Sequence, residues 1–175
     1  MISNEELNEY IKLYHSTIYK LALSMVHNAA EAEDICQETF IKLMDYRGNF
    51  DGSENCKAWL VRVAINLSKN VLKSCRFTRI AELDENIPQT QVFSPDPSCN
   101  EAQSELWQAV AKLPPQYRSV IHLYYYEGYS VKEIAKIERT TSSNVTMRLT
   151  RARKKLKIML LRGENQHEKR IQSVI

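Results

Sequence analysis

Apolar residues recur at helical spacing along most of this chain of 175 residues. In the first such stretch the apolar positions lie three or four residues apart, so they share one helix face: Leu7, Ile11, Tyr14, Ile18, Leu21 and Met25. No segment alternates apolar and polar residues as a half-buried strand would. With only four Gly and five Pro, the chain favours long helices over tight turns. We therefore expect an all-α fold.

The periodic segments fall into two groups separated by a proline-bearing stretch. Three helices are expected in the first group, at about residues 5–27, 30–46 and 56–74. Between the groups, Pro88, Pro95 and Pro97 stand among small polar residues, which predicts a flexible linker. Four further helical pieces follow. The expected organisation is a helical domain, the linker, a second helical domain and a frayed tail, at residues 1–75, 76–100, 101–162 and 163–175.

Charge is distributed unevenly although the net charge is only +3. Residues 57–79 hold six basic residues and no acid, and residues 138–162 hold eight basic residues and one acid. Residues 1–47 and 80–106 are acid-rich by contrast. Two basic blocks separated by an acidic one suggest two surfaces that could meet phosphates.

The residues that usually carry catalysis or bind metals form no recognisable motif. The four cysteines are separated by 20, 19 and 24 positions without a CxxC pair, so we expect reduced thiols and no metal site. The four histidines are scattered, and no glycine-rich phosphate loop is present. No leader peptide or apolar run of bilayer length is evident. We expect a cytoplasmic protein that is not an enzyme, with no cofactor, no small-molecule substrate and no membrane insertion.

A helix-turn-helix pattern lies near the end of the chain. Ser130 to Glu133 forms a capping box for a short helix, and a brief turn leads to a longer basic helix. One side of the basic helix is apolar and must be buried. The other side is free to enter a major groove, or is simply solvated: Ser143, Asn144, Thr146, Met147, Thr150, Arg151 and Lys154. In the helix before the motif, three residues are expected to face inward: Val120, Ile121 and Tyr124.

The predicted third helix carries a second surface suited to nucleic acid. Its members recur at steps of 3, 4, 3 and 4 and so form one stripe: Trp59, Arg62, Asn66, Lys69 and Lys73. The opposite, inner face is expected to hold Leu60, Val63, Ala64, Leu67 and Val71. An indole ring can stack on an unpaired base while cations follow the backbone. Alternatively, Trp59 belongs to the core and the remaining stripe is solvated.

The predicted second helix presents an acid-rich face beside an apolar edge. Asp34, Gln37, Glu38 and Ile41 share this face at helical spacing. A negative face is repelled by DNA but suits a basic protein partner. An ordinary solvent-exposed face is the alternative.

Three ordered segments of the chain resemble extracytoplasmic-function (ECF) RNA polymerase sigma factors. The segment AEDICQETF at residues 32–40 is similar to their region 2 core-binding signature. The segments FDG at 50–52, KAWL at 57–60 and RVAIN at 62–66 resemble their −10 recognition segment. The stretch from LPPQYR at 113–118 to RAR at 151–153 resembles region 4. The resemblance spans about residues 6–160 and implies a factor that brings core RNA polymerase to promoters and helps to open the DNA.

The resemblance also implies roles for particular residues. The acid-rich face, Ile41 included, would contact the clamp helices of the largest polymerase subunit. A loop of six residues would hold an extruded base of the −10 element, with Asn66 nearby: Asp51, Gly52, Ser53, Glu54, Asn55 and Cys56. The basic helix would read the −35 element. Further partners implied are the flap of the second-largest subunit and an anti-sigma factor.

Five residues, in three places, depart from the family pattern. Glu138-Arg139 stands where Leu-Gly is usual, so a residue with positive φ in this turn would be strained. Thr146 and Met147 stand where a basic residue and a serine are common, and Cys56 replaces a bulky aromatic residue.

Three other functions compete with a sigma factor. A plain helix-turn-helix regulator would bind duplex DNA alone as a dimer, but it leaves the acid-rich face and the Trp59 stripe unexplained. A decoy with a sigma-like fold would bind the polymerase without supporting transcription. An enzyme would need a catalytic constellation that the scattered histidines do not provide.

Overall fold

The computed structural model describes residues 2–81 and 101–172, with side chains placed for residues 2–74 and 105–161. These ranges are helical and contain no strand, which confirms the all-α prediction. The first unit consists of α1 (Asn4–Val26), α2 (Ala29–Met44) and α3 (Ser53–Ala81). The second contains α4 (Glu101–Ala111), α5 (Pro115–Ile121) with a π-helical turn at His122–Tyr126, α6 (Val131–Ile137) as far as Ala135, and α7 (Ser142–Gln172).

Two helices are longer than the sequence indicated. Helix α3 continues to Ala81, past residue 76 where the linker was expected to begin, because no Gly or Pro interrupts it there. Helix α7 continues to Gln172, so the frayed tail expected from residue 163 is helical over most of its length. Gly163 does not end it, since one Gly costs a propagating helix only about 1 kcal/mol. Residues 82–100 and 173–175, with the rest of the expected linker and tail, lie outside the described residues.

Side-chain caps set the ends of the first two helices. Ser3 and Glu6 form a capping box at the start of α1, with backbone-to-side-chain distances of 2.9 and 3.2 Å. Helix α1 ends at His27, which takes a left-handed conformation with φ 55°. The Asn28 side chain then accepts a hydrogen bond from the Glu31 backbone N–H at 3.2 Å. Asn28 therefore caps the start of α2, and two residues separate the two helices.

The core of the first unit lies between its three helices, each of which packs on the other two. Of the predicted inner face of α1, Tyr14, Ile18, Leu21 and Met25 are buried, whereas Leu7 and Ile11 are half-buried. In α2 the buried residues include Cys36, Phe40 and Leu43. The buried face of α3 is shifted from the predicted one. It contains Cys56, Leu60, Val61, Ala64, Ile65 and Ser68, whereas Val63, Leu67 and Val71 are only half-buried.

The core of the second unit forms where α7 packs against α4 and α5. Leu113, Tyr117 and Ala152 are buried there, and Ile121, Leu156 and Met159 pack around them. The prediction that Tyr124 faces inward is wrong. Tyr124 is 36% exposed, and Leu123 is buried instead. A π-helical turn contains one extra residue, so it shifts the phase of the helix after Ile121.

The turn between α6 and α7 is a Schellman motif closed by a non-glycine residue. The Thr140 N–H donates to the Ala135 carbonyl at 2.9 Å, and the Arg139 N–H donates to the Lys136 carbonyl at 3.3 Å. Arg139 takes φ 51°, the left-handed conformation for which glycine is usual. The strain expected from the missing glycine therefore falls on Arg139.

None of the helices in the described ranges combines the length and the apolar character that a bilayer crossing requires.

Candidate nucleic-acid interface

Helix α7 separates a buried side from an exposed side as its sequence predicts. Val145, Leu149 and Ala152 are at most 3% exposed. The opposite side brings together the expected groove-facing residues in exposed positions: Ser143, Thr146, Met147, Thr150, Arg151 and Lys154. Asn144 differs from them because it is half-buried. The helix thus presents a continuous exposed face of the width that a major groove admits.

The start of α7 is held by its own polar side chains. The Thr141 hydroxyl accepts a hydrogen bond from the Asn144 N–H at 3.2 Å, which caps the helix. The Asn144 side-chain amide donates to the Thr140 hydroxyl at 3.2 Å. Asn144 was expected among the base-reading residues, but this bond ties its side chain to the turn. Its position fits helix capping better than base contact.

Two threonine hydroxyls on the exposed face bond back to the helix. Thr146 Oγ1 donates to the Ser142 carbonyl at 3.0 Å, and Thr150 Oγ1 donates to the Thr146 carbonyl at 2.9 Å. Such bonds are common for threonine within helices. They fix the rotamers of both side chains before any ligand arrives.

The positive charges of α7 are not equivalent. Arg151 is exposed on the groove-facing side. Arg153 instead donates from Nε to the Tyr125 hydroxyl at 2.8 Å, and its guanidinium lies 5.7 and 5.6 Å from the ring centroids of Tyr124 and Tyr125. Distances of this size are typical of cation–π contacts. The Arg153 side chain therefore contacts the π-helical turn, through Tyr124 and Tyr125.

The segment expected to form a base-holding loop is partly helical, which corrects its description as a loop. Helix α3 begins at Ser53, so Ser53, Glu54 and Asn55 form its exposed first turn. Asp51 and Gly52 precede it, and Gly52 has φ 93°. The Asn55 side chain donates to the Asp51 carbonyl at 2.9 Å and closes the segment on itself.

Cys56 does not belong to this exposed surface. Its side chain is fully buried, and burial raises the pKa of its thiol to about 11. A neutral, inaccessible thiol cannot touch a base. Its inclusion among the DNA-binding residues is therefore corrected, because it lies on the buried face of α3.

Trp59 lies in an aromatic cluster with Tyr46 and Phe50. The ring centroids of Tyr46 and Phe50 are 4.6 Å apart, and that of Trp59 lies 5.0 Å from Tyr46 and 5.9 Å from Phe50. A Cβ atom on Gly48 would come within 2.5 Å of the Tyr46 hydroxyl oxygen, so glycine leaves room for this ring. Trp59 is half-buried, so it agrees only in part with the alternative that places this residue in the core. Asn66 and Lys73 are exposed further along the same stripe.

The acid-rich face of α2 is exposed, and it is larger than the sequence indicated. Asp34 and Gln37 are exposed, and Ile41 is 51% exposed. Glu38 pairs with Lys42 one turn later at 2.9 Å. Met44, 55% exposed, follows Ile41 at a spacing of three and extends the apolar edge. That spacing was the signal that sequence reasoning missed.

The second unit also contains an apolar groove that the sequence did not reveal. Its volume is about 560 Å³ and it runs between α4, α5 and α7. Its lining combines aliphatic side chains with a tyrosine and two cations: Leu106, Val110, Ile121, Leu156, Leu160, Leu161, Tyr125, Arg153 and Lys157. Leu106 and Leu161 are nearly half exposed. Exposed apolar area of this kind marks interaction sites.

Within the described ranges, no three His, Cys, Asp or Glu side chains lie close enough together to hold a metal ion.

Comparison with known proteins identifies similar chains. Residues 10–77 match the family model Sigma-70 region 2, and residues 103–156 match Sigma-70, region 4. The chain is 32% identical over 152 residues to the RNA polymerase sigma-H factor of Pseudomonas aeruginosa, covering 80% of this chain and 78% of that protein. It is 30% identical over 161 residues to the ECF RNA polymerase sigma factor SigM of Bacillus subtilis, covering 91% of this chain and 98% of that protein.

A similar fold occurs among solved structures. The sigma factor RpoE of Bartonella quintana, crystallised with the anti-sigma factor NepR, superposes with a TM-score of 0.75 over 89% of this chain and 97% of that one. The two sequences are 22% identical. CnrH, solved with the cytosolic domain of CnrY, gives a TM-score of 0.63 at 20% identity and covers 90% of this chain.

Proposed function

The chain belongs to the ECF RNA polymerase sigma factors, and from this premise we propose how its surfaces divide the work of promoter recognition. As a sigma factor, it directs RNA polymerase to promoters and acts in transcription initiation. The proposed region 2 domain is residues 1–75, and the proposed region 4 domain is residues 101–162. Its place of action is the cytoplasm, where the polymerase and promoters are.

The acid-rich face of α2 is assigned to core RNA polymerase. Asp34, Gln37 and Glu38 supply the polar part, and Ile41 with Met44 supplies the apolar part. A charged rim around apolar side chains is the usual composition of a protein interface. The clamp helices of the largest polymerase subunit are the proposed partner, which predicts basic residues on the facing surface.

The start of α3 is assigned to the −10 element. Asp51, Gly52 and the first-turn side chains Ser53, Glu54 and Asn55 offer donors and acceptors for the edge of an extruded base. The stripe that begins at Trp59 would follow the strand, with Asn66 on a base and the cations on phosphates. The Trp59 ring, held by Tyr46 and Phe50, would offer only its exposed part for stacking.

Helix α7 is assigned to the −35 element in double-stranded DNA. Ser143, Thr146, Met147 and Thr150 would face base edges, while Arg151 and Lys154 would contact phosphates. Phosphate contacts set the position of the helix, and base contacts set its preference.

The groove between α4, α5 and α7 is assigned to the flap of the second-largest polymerase subunit. The aliphatic lining favours an apolar helix as occupant, and Arg153 and Lys157 at the groove favour acidic residues on that helix. An anti-sigma factor is a further proposed partner, because RpoE, a protein of similar fold, was solved with the anti-sigma factor NepR.

The observation that carries the proposal is the separation of the exposed faces, with acids and apolar side chains on α2 and short polar and basic side chains on α7. Two substitutions test it in the full chain. Glu38→Lys should weaken binding to core RNA polymerase at least tenfold, because it places a positive charge against a basic partner. Arg151→Ala should leave core binding intact and weaken binding of the resulting holoenzyme to promoter duplex. A folded Arg151→Ala variant that loses core binding as well, or a folded Glu38→Lys variant that keeps full core binding, would contradict the division.

A further inference from the structure

Three neighbouring residues on the exposed face of α7 are poor in hydrogen-bond donors: Thr146, Met147 and Thr150. A hydroxyl has one proton, and those of Thr146 and Thr150 are already bonded to backbone carbonyls of the helix. Each side chain can therefore offer a base only an acceptor oxygen and a γ-methyl group. Met147 lies beside them, is 40% exposed, and has no donor at all.

Asn144 does not make up for this lack. A bidentate contact to adenine needs both the amide and the carbonyl of an asparagine side chain. One N–H of the Asn144 side-chain amide donates instead to the Thr140 hydroxyl at 3.2 Å, and the residue is half-buried, so its side chain is held at the turn. A guanine exposes two acceptors in the major groove and needs donors opposite them. Thr146, Met147 and Thr150 consequently offer guanine no donor.

We propose that Thr146, Met147 and Thr150 form a methyl-reading patch that selects thymine in the −35 element through its C5-methyl group. This inference rests on the proposed function, because it requires α7 to lie in the major groove. Thymine is the one base that presents an apolar group there. Its partner adenine presents an N6 amino donor, which the threonine oxygens can accept. A T·A pair therefore satisfies both properties of the methyl-reading patch.

The size of the patch limits how many base pairs it can read. Thr146 and Thr150 are four residues apart, which corresponds to about 6 Å along a helix axis. Successive base pairs are separated by roughly 3.4 Å. The methyl-reading patch should thus determine about two adjacent positions of the −35 element, and the rest of the element should depend on other contacts.

The test begins with holoenzyme formed from the full chain and core RNA polymerase. Duplexes with a randomised −35 window are selected for binding, and the enriched sequence is remade with deoxyuridine in place of each thymidine in turn. Deoxyuridine lacks only the methyl group and keeps every hydrogen-bonding atom. Burying one methyl group corresponds to about a fourfold change in affinity. We expect a loss of about that size at one or two adjacent positions.

Substitutions in the protein separate the methyl groups from the hydroxyls. Thr146→Ser and Thr150→Ser keep the hydroxyl and its bond to the helix but remove the methyl, so sensitivity to deoxyuridine should fall. Thr150→Val keeps a methyl and removes the hydroxyl. The sensitivity to deoxyuridine should therefore persist in this variant. Met147→Ala should abolish the sensitivity at the position it faces. Circular dichroism establishes that each variant is folded.

The outcomes distinguish this inference from the function on which it rests. Holoenzyme that enriches a −35 sequence yet binds thymidine and deoxyuridine duplexes equally would overturn the methyl-reading patch and leave the sigma function standing. Enrichment of G·C pairs that are lost in the Met147→Ala variant would also overturn it. A folded chain that neither binds core polymerase nor enriches any duplex would overturn the proposed function itself.

Discussion

Arg153 and Tyr125 are joined by a 2.8 Å hydrogen bond from the guanidinium Nε to the phenolic oxygen. Arg151, two residues earlier, points to the exposed side of the same helix. The dense positive charge of α7 therefore serves two purposes. Arg151 is available to phosphates, whereas Arg153 holds the π-helical turn against α7 and borders the apolar groove.

This difference predicts distinct salt dependences for two otherwise similar substitutions. Arg151→Ala should remove one phosphate contact, so the slope of log Kobs against log salt for promoter duplex should become less steep by roughly 0.9. Arg153→Ala should leave that slope unchanged, because its guanidinium is bound to Tyr125. Titrations of both variant holoenzymes at several salt concentrations provide the comparison. Equal flattening by both would show that Arg153 also reaches the DNA.

Arg139→Gly should stabilise the protein. Arg139 closes the Schellman motif with φ 51°, and an L-residue in this conformation carries a penalty of about 1–2 kcal/mol. Glycine relieves it but gains more entropy in the unfolded chain, so we expect a net increase in unfolding free energy of roughly 0.5–1 kcal/mol. Urea denaturation followed by circular dichroism measures it. Arg139→Ala retains the Cβ atom and should give no such gain, so equal stability of the two variants would refute the explanation.

Gly48→Ala should disrupt the cluster of Tyr46, Phe50 and Trp59. The new methyl would overlap the Tyr46 ring, which can move away only by leaving its contacts with the other two rings. The expected loss of unfolding free energy is about 0.5–1.5 kcal/mol, with a shift in Trp59 fluorescence measured in a Trp107→Phe background. In a Tyr46→Ala background the same substitution should have little effect. If Gly48→Ala lowers the unfolding free energy equally in the Tyr46→Ala background, the new methyl must clash with a residue other than Tyr46.

Met44→Ser should weaken the binding of core RNA polymerase. Met44 extends the apolar edge of the acid-rich face, and covering its exposed half is worth on the order of 1 kcal/mol, or about fivefold in affinity. Equilibrium binding to core polymerase measures the change. Leu13→Ser offers a matched control, because Leu13 is a similarly exposed apolar residue on α1, outside the assigned face. A larger effect of Leu13→Ser would move the interface to α1.

The sequence predicted the elements better than their exact faces. In α1 one apolar stripe is flanked by polar residues, so periodicity alone identified buried positions such as Ile18 and Leu21. In α3, apolar residues at 60, 61, 63, 64 and 65 surround most of the helix. Several orientations then satisfy the pattern, and only packing against α1 and α2 selects the one that buries Val61 and Ile65.

The features that sequence reasoning missed depend on small backbone shifts or on packing. The π-helical turn adds one residue at His122–Tyr126, and three consecutive tyrosines give no periodic sign of it. The apolar groove exists only because α4, α5 and α7 meet. By contrast, the left-handed residue in the turn before α7 was foreseeable from the family resemblance, because a glycine is usual where this chain has Arg139.

Transcription by the reconstituted holoenzyme tests most directly whether this chain is a working sigma factor. Core RNA polymerase is incubated with the chain, bound complex is quantified, and run-off transcription is measured from a genomic promoter library. We expect stoichiometric binding and new, discrete start sites that the core enzyme alone does not produce. Binding without new start sites would instead indicate a decoy. Absence of binding by folded protein that still binds duplex DNA would indicate a plain helix-turn-helix regulator.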